Sequence, residues 1–329
     1  MVSNKKPLDW YTNRRYTATP MGEKAKLTLV VGAGAIGRML ASALSETQHV
    51  VLLDIDEPLV AALNHSGVVI ERGEERRTVQ LEAVSSIEGL PIASIVFFCV
   101  KSYATASAAK MISPVVDFDS TICSLQNGWG NGDVLASVFN PSQVVVGVTY
   151  NSATVRDGIV HHTGSGITLV GPYEGSVERA EAVALALHEA GLEARSLEAV
   201  RPEIWKKLIL NAATLPTAAL SGLSTGGLGA FSPMLDLVDD LTREAVSVAV
   251  GLGYDIDVDE RIALIHEILE RGGSGKASML QDLEASRKTE VDVVCGAVVR
   301  AADESNIDVP LTRAMYALVR GVEKAKGLT

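Results

Sequence analysis

The segment Leu27–Leu44, LTLVVGAGAIGRMLASAL, constrains the fold more than any other stretch of the chain. Five β-prone apolar residues, Leu27 to Val31, run into Gly32-Ala33-Gly34-Ala35-Ile36-Gly37, and a helix-forming run follows at once. Gly32 permits a tight turn, Gly34 leaves room for a pyrophosphate against the backbone, and Gly37 lets the helix pack close on the strand. The phosphates would then meet free N–H groups and the positive end of a helix dipole. A second strand, His49–Leu53, ends in Asp54, where an acid that binds a ribose belongs. The segment therefore predicts the strand, turn and helix of a dinucleotide-binding βαβ unit.

The alternation continues downstream. A short helix is expected from about Glu57 to His65, then a hairpin or ribbon from Val68–Arg72 and Arg77–Leu81. Ala93–Val100 is a continuous apolar run, as befits a parallel strand covered on both faces. It ends in Lys101-Ser102, and a helix follows from about Ala104 to Ile112. Strand Ser120–Leu125 ends in Gln126-Asn127-Gly128, and a helix near Asp133–Phe139 leads to strand Val144–Tyr150. These units predict a doubly wound α/β sheet with ligands at the carboxyl ends of its strands. Gly32–Gly37, Asp54, Lys101 and Asn127 all fall at such ends. Gly158–His162 and Ile167–Val170 read as antiparallel strands closing the sheet, followed by a helix from about Val177 to Ala190 and a last strand near Glu193–Ser196.

From Pro202 onward the pattern is helical. Helices are expected over Glu203–Leu220, Pro233–Leu252, Asp259–Glu270, Arg287–Glu304 and Leu311–Val322, with a glycine-rich loop (Gly222, Gly226, Gly227, Gly229) after the first. The expected division is thus an N-terminal extension over 1–26, a Rossmann-type domain over 27–200 and an all-helical substrate domain over 201–329. The extension is charged, has no signal-peptide core and is expected to be poorly ordered, with Met21 an alternative start.

Composition narrows the partners. A net charge of −11 over 329 residues argues against nucleic acid or an anionic membrane, though a site can be locally positive. No apolar run approaches the length of a membrane span. Cys99, Cys123 and Cys295 are widely spaced in apolar runs and read as buried free thiols in a reducing compartment, hence a cytoplasmic protein. The histidines show no metal-binding spacing, so no metal is expected. Apolar helices in the second domain are compatible with a homodimer.

On the helix Glu203–Leu220, Lys207 and Asn211 are spaced i, i+4 and share a face. Lys206 is adjacent, and periodicity alone leaves open which lysine faces the first domain. The motifs GAGAIG (Gly32–Gly37), VKS (Val100–Ser102), QNG (Gln126–Gly128), VHHTGSG (Val160–Gly166), WKKLILN (Trp205–Asn211), SMLQD (Ser278–Asp282) and RKTEVD (Arg287–Asp292) occur in order from Leu27 to about Pro310. In this the chain resembles the ketopantoate reductase (2-dehydropantoate 2-reductase) family. The resemblance implies a nicotinamide cofactor, habitually NADPH, in a cleft between the domains, and reduction of a small 2-oxo acid. It implies that Lys207, rather than Lys206, is the general acid, and that Asn211 and Ser278 bind substrate. It places Glu290 beside the cofactor and the catalytic lysine, and has Lys101, Asn127 and Ala153 line the cofactor, with Asn127 reaching the substrate as well. These roles suit the chemistry, because hydride arriving at a ketone leaves an alkoxide that needs a cation or proton at its oxygen.

Two positions depart from the family pattern. Where the family carries an asparagine for the substrate hydroxyl, just before a proline, this chain has Leu215-Pro216. Where most members have an arginine for the 2′-phosphate of NADPH, this chain has Asp54-Ile55-Asp56, which suits the free 2′-hydroxyl of NADH. The first departure keeps alive a D-2-hydroxyacid dehydrogenase acting on another branched or aromatic 2-oxo acid. A non-catalytic dinucleotide sensor is the remote alternative.

Overall fold

The computed structural model describes residues 26–329, so the expectations for the N-terminal extension and for Met21 lie outside the described residues, Lys26 apart. Strand β1 (Leu27–Val31) leads through the glycine turn to α1 (Ala35–Leu44) and β2 (His49–Leu53). Helix α2 (Glu57–Ser66) is capped by Asp56, whose carboxylate accepts the Leu59 N–H at 3.0 Å. Strands β3 (Val68–Arg72), β4 (Glu75–Val79) and β5 (Glu82–Val84) follow, then β6 (Ala93–Phe98), α3 (Thr105–Ile112), β7 (Thr121–Ser124), α4 (Asn131–Ala136) and β8 (Val144–Thr149). The sheet half ends with β9 (Ser152–Arg156), β10 (Ile159–Gly164), β11 (Thr168–Pro172), α5 (Glu178–Glu189) and β12 (Ala194–Ser196).

The main sheet has eight strands in the order β12-β11-β8-β7-β6-β1-β2-β5. The strands β8, β7, β6, β1, β2 and β5 are parallel, while β11 runs antiparallel to β8 and carries β12 beside it. Alternate residues of the central strands go to opposite faces. Val30, Leu52 and Phe97 join one buried cluster, and Leu29, Val31, Val51, Leu53 and Phe98 join the other. The direction of winding reverses between β1 and β6, which opens a crevice at their carboxyl ends.

The sequence expectation of antiparallel strands closing the main sheet holds for β11 only. The hairpin β9–β10 pairs instead with β3, giving a separate four-stranded sheet in the order β4-β3-β10-β9. The reason is tertiary: this small sheet covers α1, whose Arg38 donates to Gly158 O at 3.4 Å.

Beyond β12 the described residues contain only helices: α6 (Arg201–Ser221), α7 (Thr225–Ala230), α8 (Ser232–Gly251), α9 (Val258–Arg271), α10 (Ser278–Glu284), α11 (Cys295–Ser305) and α12 (Pro310–Ala325). Two expectations are corrected here. The glycine-rich stretch is a helix, α7, capped by Ser224, and its glycines serve close packing. A side chain on Gly226 would come within 2.7 Å of Gly273 O, and one on Gly229 within 3.0 Å of Leu269. The expected helix Arg287–Glu304 begins only at Cys295, because the Thr289 N–H and hydroxyl bond the Glu323 carboxylate at 2.8 and 2.7 Å instead of extending a helical ladder. All three cysteines are free, and Cys123 and Cys295 are buried, but Cys99 is only half-buried at the lip of the glycine turn. No helix of the described residues is long and apolar enough to cross a membrane.

Candidate active site

The glycine turn has the geometry the sequence requires of it. Gly32 has φ +106°, and a side chain there would lie 2.7 Å from the Val100 amide. A side chain on Gly37 would strike Gly32 O, whereas one on Gly34 would meet nothing within 4 Å. Gly34 thus faces open space at the N-terminus of α1, as a backbone receiving a pyrophosphate must. Ala35 and Ile36 form the first turn of that helix. Asp54 bends over the turn, with Oδ2 accepting the Ala33 N–H at 2.7 Å and Oδ1 the Asp56 N–H at 3.1 Å. Arg38, the cation beside Asp54, is turned inward, its Nε donating to Ala33 O at 2.6 Å. Burial weakens its hold on the proton, against the pull of Asp54 and Asp56.

The second cluster lies where α6 crosses the end of β8. Lys207 and Asn211 line a small cleft together with Gln126, Asn127, Gly128 and Leu208. Lys206, by contrast, is ion-paired with Glu203 at 2.7 Å and does not line the cleft. Lys207 Nζ donates to the Thr149 carbonyl at 2.7 Å and lies 5.9 Å from the centre of the Tyr150 ring. Burial lowers its pKa to about 8, with Glu290 pulling the other way. The VHHTGSG stretch supports this corner, because Asn151, which binds the Thr149 hydroxyl at 3.1 Å, also meets His162 at 3.3 Å and Gly166 O at 2.8 Å. A wider cavity of about 160 Å³ adjoins the cleft, sharing Gln126, Gly128 and Ile204 and bounded by Trp129, Tyr173 and Arg201.

A third cluster joins the two halves. Lys101, just past β6, donates to Asp282 of α10 at 2.6 Å and to Glu290 at 3.4 Å, and Glu290 also accepts the Ser102 N–H at 3.1 Å. Burial opposes the Lys101 charge, but Glu290 and Asp282 together outweigh it and hold the ammonium above its usual range. Asp282 is buried and also accepts from Arg287 Nε at 3.1 Å. Its signal in the sequence is an acid set one turn after Ser278 among apolar residues, within the SMLQD motif.

Not every candidate converges. Ser278 opens α10, is exposed, and lines neither cavity, standing one turn before Asp282. Ala153 sits in β9 opposite His162, half-buried on the small sheet four residues beyond the end of β8. Among the described residues no group of three or more His, Cys, Asp or Glu is placed to hold a metal ion.

Residues 28–175 match the model of the family described as ketopantoate reductase PanE/ApbA, and residues 199–323 match the model of its C-terminal region. A 2-dehydropantoate 2-reductase of Archaeoglobus fulgidus is 31% identical over 296 residues, covering 89% of this chain and 97% of its own. One from Pyrococcus abyssi is 31% identical over 301 residues, covering 91% and 98%. Among solved structures, a PanE/ApbA family ketopantoate reductase from Ralstonia eutropha superposes with a TM-score of 0.82 at 30% identity, over 92% of this chain and 99% of that one. A D-mandelate dehydrogenase solved with NADH and anilino(oxo)acetate shares the fold, with a TM-score of 0.87 at 22% identity over 92% and 100%. With both halves matched in order around one cleft, the chain belongs to the ketopantoate reductase family of oxidoreductases.

Proposed function

We propose that the protein reduces 2-dehydropantoate to pantoate, with NADH as the preferred cofactor. The observation that carries this reading is Lys207, a half-buried lysine with a pKa near 8, opposite Asn127 and beside Asn211 in one cleft. When bound, the nicotinamide supplies the hydride. The chain's residues do the rest: Lys207 holds a proton at the ketone oxygen, and Asn211, Asn127 and Ser278 offer neutral donors to the substrate. Glu290 keeps negative charge near Lys207 and favours its protonated form. The turn Gly32–Gly37 holds the pyrophosphate, and Lys101, Asn127 and Ala153 line the rest of the dinucleotide. The division into a dinucleotide domain up to about residue 200 and a substrate domain beyond it follows the same reading, and the free thiols suit a cytoplasmic enzyme.

Asp54 supports the choice of NADH. Its carboxylate at the rim of the turn accepts from ribose hydroxyls but repels a 2′-phosphate, and Arg38 beside it is engaged inward. Unit charges 4 Å apart repel by about 4 kcal/mol at an effective dielectric of about 20, and about 1.4 kcal/mol is already tenfold.

A second reading rests on Leu215, half-buried against the helical core, whose alkyl group suits a branched or aromatic side chain better than a hydroxyl. The deciding measurement is kcat/KM for ketopantoate, 2-oxoisovalerate and phenylglyoxylate with each cofactor. We expect ketopantoate to lead and NADH to exceed NADPH at least tenfold, with Asp54→Ala erasing most of that margin. Phenylglyoxylate or 2-oxoisovalerate well ahead would move the assignment to the second reading; a wild-type preference for NADPH would defeat the reading of Asp54.

A further inference from the structure

Glu323 is a charged residue with no solvent exposure at all, on the last helix of the fold and outside the cleft. A buried carboxylate is costly unless its oxygens are satisfied, so its partners define what it is for. Oε1 accepts both the N–H and the hydroxyl of Thr289, at 2.8 and 2.7 Å, and Oε2 accepts from Arg320 at 3.1 Å. The Thr289 hydroxyl in turn accepts the Val291 N–H at 3.2 Å. The amides on either side of Glu290 are thus fixed through one buried carboxylate. Helix α12 also grips Asp292, whose Oδ1 accepts the Tyr316 hydroxyl at 2.8 Å. Between these anchors the chain is not helical, so nothing in regular secondary structure would aim the Glu290 side chain.

From this geometry we infer that Glu323 is a positioning residue that holds Glu290 against Lys101 and Ser102 by clamping Thr289. The inference rests on the proposed role of Glu290. It explains why the buried group is an acid: an oxygen must take two donors from Thr289 while its partner oxygen faces a guanidinium, which an amide NH₂ would oppose.

The test reads kcat/KM against pH for the fastest 2-oxo acid of the panel with NADH, in wild type, Glu323→Ala, Thr289→Val, Glu290→Gln and the double variant Glu323→Ala/Glu290→Gln. The groups facing Lys207 in this structure are Glu290, the Tyr150 ring and the Thr149 carbonyl. If Glu323 acts through Glu290, Glu323→Ala lowers kcat/KM by about 10- to 100-fold. It also moves the alkaline limb to lower pH, because Lys207 loses the charge that favours its proton. Thr289→Val shifts both in the same direction by less, and serves should Glu323→Ala fail to fold. The double variant loses no more than Glu290→Gln alone. A limb that stays in place in the Glu323 and Thr289 variants, with losses that multiply in the double variant, overturns the inference and leaves Glu290 standing. A Glu290→Gln variant indistinguishable from wild type overturns both.

Discussion

Lys207 is subject to two opposed influences, burial that disfavours its charge and Glu290 that favours it, and burial prevails to leave the pKa at about 8. Reduction needs the ammonium form. We therefore expect kcat/KM for reduction to be level below about pH 8 and to fall about tenfold per pH unit above it, while oxidation of the hydroxy acid rises over the same range. Lys207→Ala should lower kcat by roughly 10²–10⁴-fold and abolish that limb. Lys206→Ala should do little, since Lys206 is held by Glu203 outside the cleft. Equal losses from the two substitutions would mean the wrong face was chosen. The lowered pKa carries a sign for stability as well: between about 8 and 10.5 the unfolded lysine keeps a proton that the folded one has lost, so this group's contribution to stability rises with pH there. Spacing made Lys207 and Asn211 legible as a pair, and the family likeness chose between the lysines. The pKa was not legible, because it is set by burial in the folded chain, opposed by Glu290 far along the sequence.

Under the proposed function, helix α6 is the element on which substrate choice turns. Lys207, Asn211 and Leu215 follow one another at four-residue intervals on one side of it, and Leu215 is half-buried against the helical core. Placing an amide there by Leu215→Asn should raise kcat/KM for ketopantoate over 2-oxoisovalerate by at most about 1–3 kcal/mol. An unchanged ratio would put Leu215 outside the substrate pocket. The helices and parallel strands were readable because each repeats its apolar pattern over several turns or pleats. Not every element was: β5 and α10 were not anticipated, and three further segments were decided by a distant partner. The glycines of α7 look like a loop until the backbone of Gly273 packs against them. Arg287–Val294 looks like helix until Glu323 takes the Thr289 amide. The β9–β10 hairpin looks like part of the main sheet until β3 offers a second edge.

Across the whole molecule, the halves meet through a few groups remote in sequence. Lys101 reaches Asp282 and Glu290, Lys207 reaches Thr149, and the Trp129 N–H donates to Val293 O at 2.9 Å. Gly128, with φ +85°, packs tightly there, since a side chain on it would lie 2.4 Å from Val293 O. Gly128→Ala should destabilise the protein by roughly 1–3 kcal/mol or more and raise the KM for the 2-oxo acid. A variant with wild-type midpoints in thermal and urea unfolding would show that the two segments part freely. No periodicity announces such contacts, so Lys207, Asn211 and Asn127 could be singled out in the sequence while the distant groups that Lys207 and Lys101 meet could not. The glycine turn stands apart from these remote contacts, because the chain fastens it locally: Gly32 N–H to Leu53 O at 2.8 Å, Ala33 N–H to Asp54 at 2.7 Å, and Arg38 to Ala33 O at 2.6 Å. Its disorder is surrendered once, when the polypeptide folds. A dinucleotide arriving later meets a receptor already cast, and the free energy of that encounter goes into affinity instead of into shaping the loop.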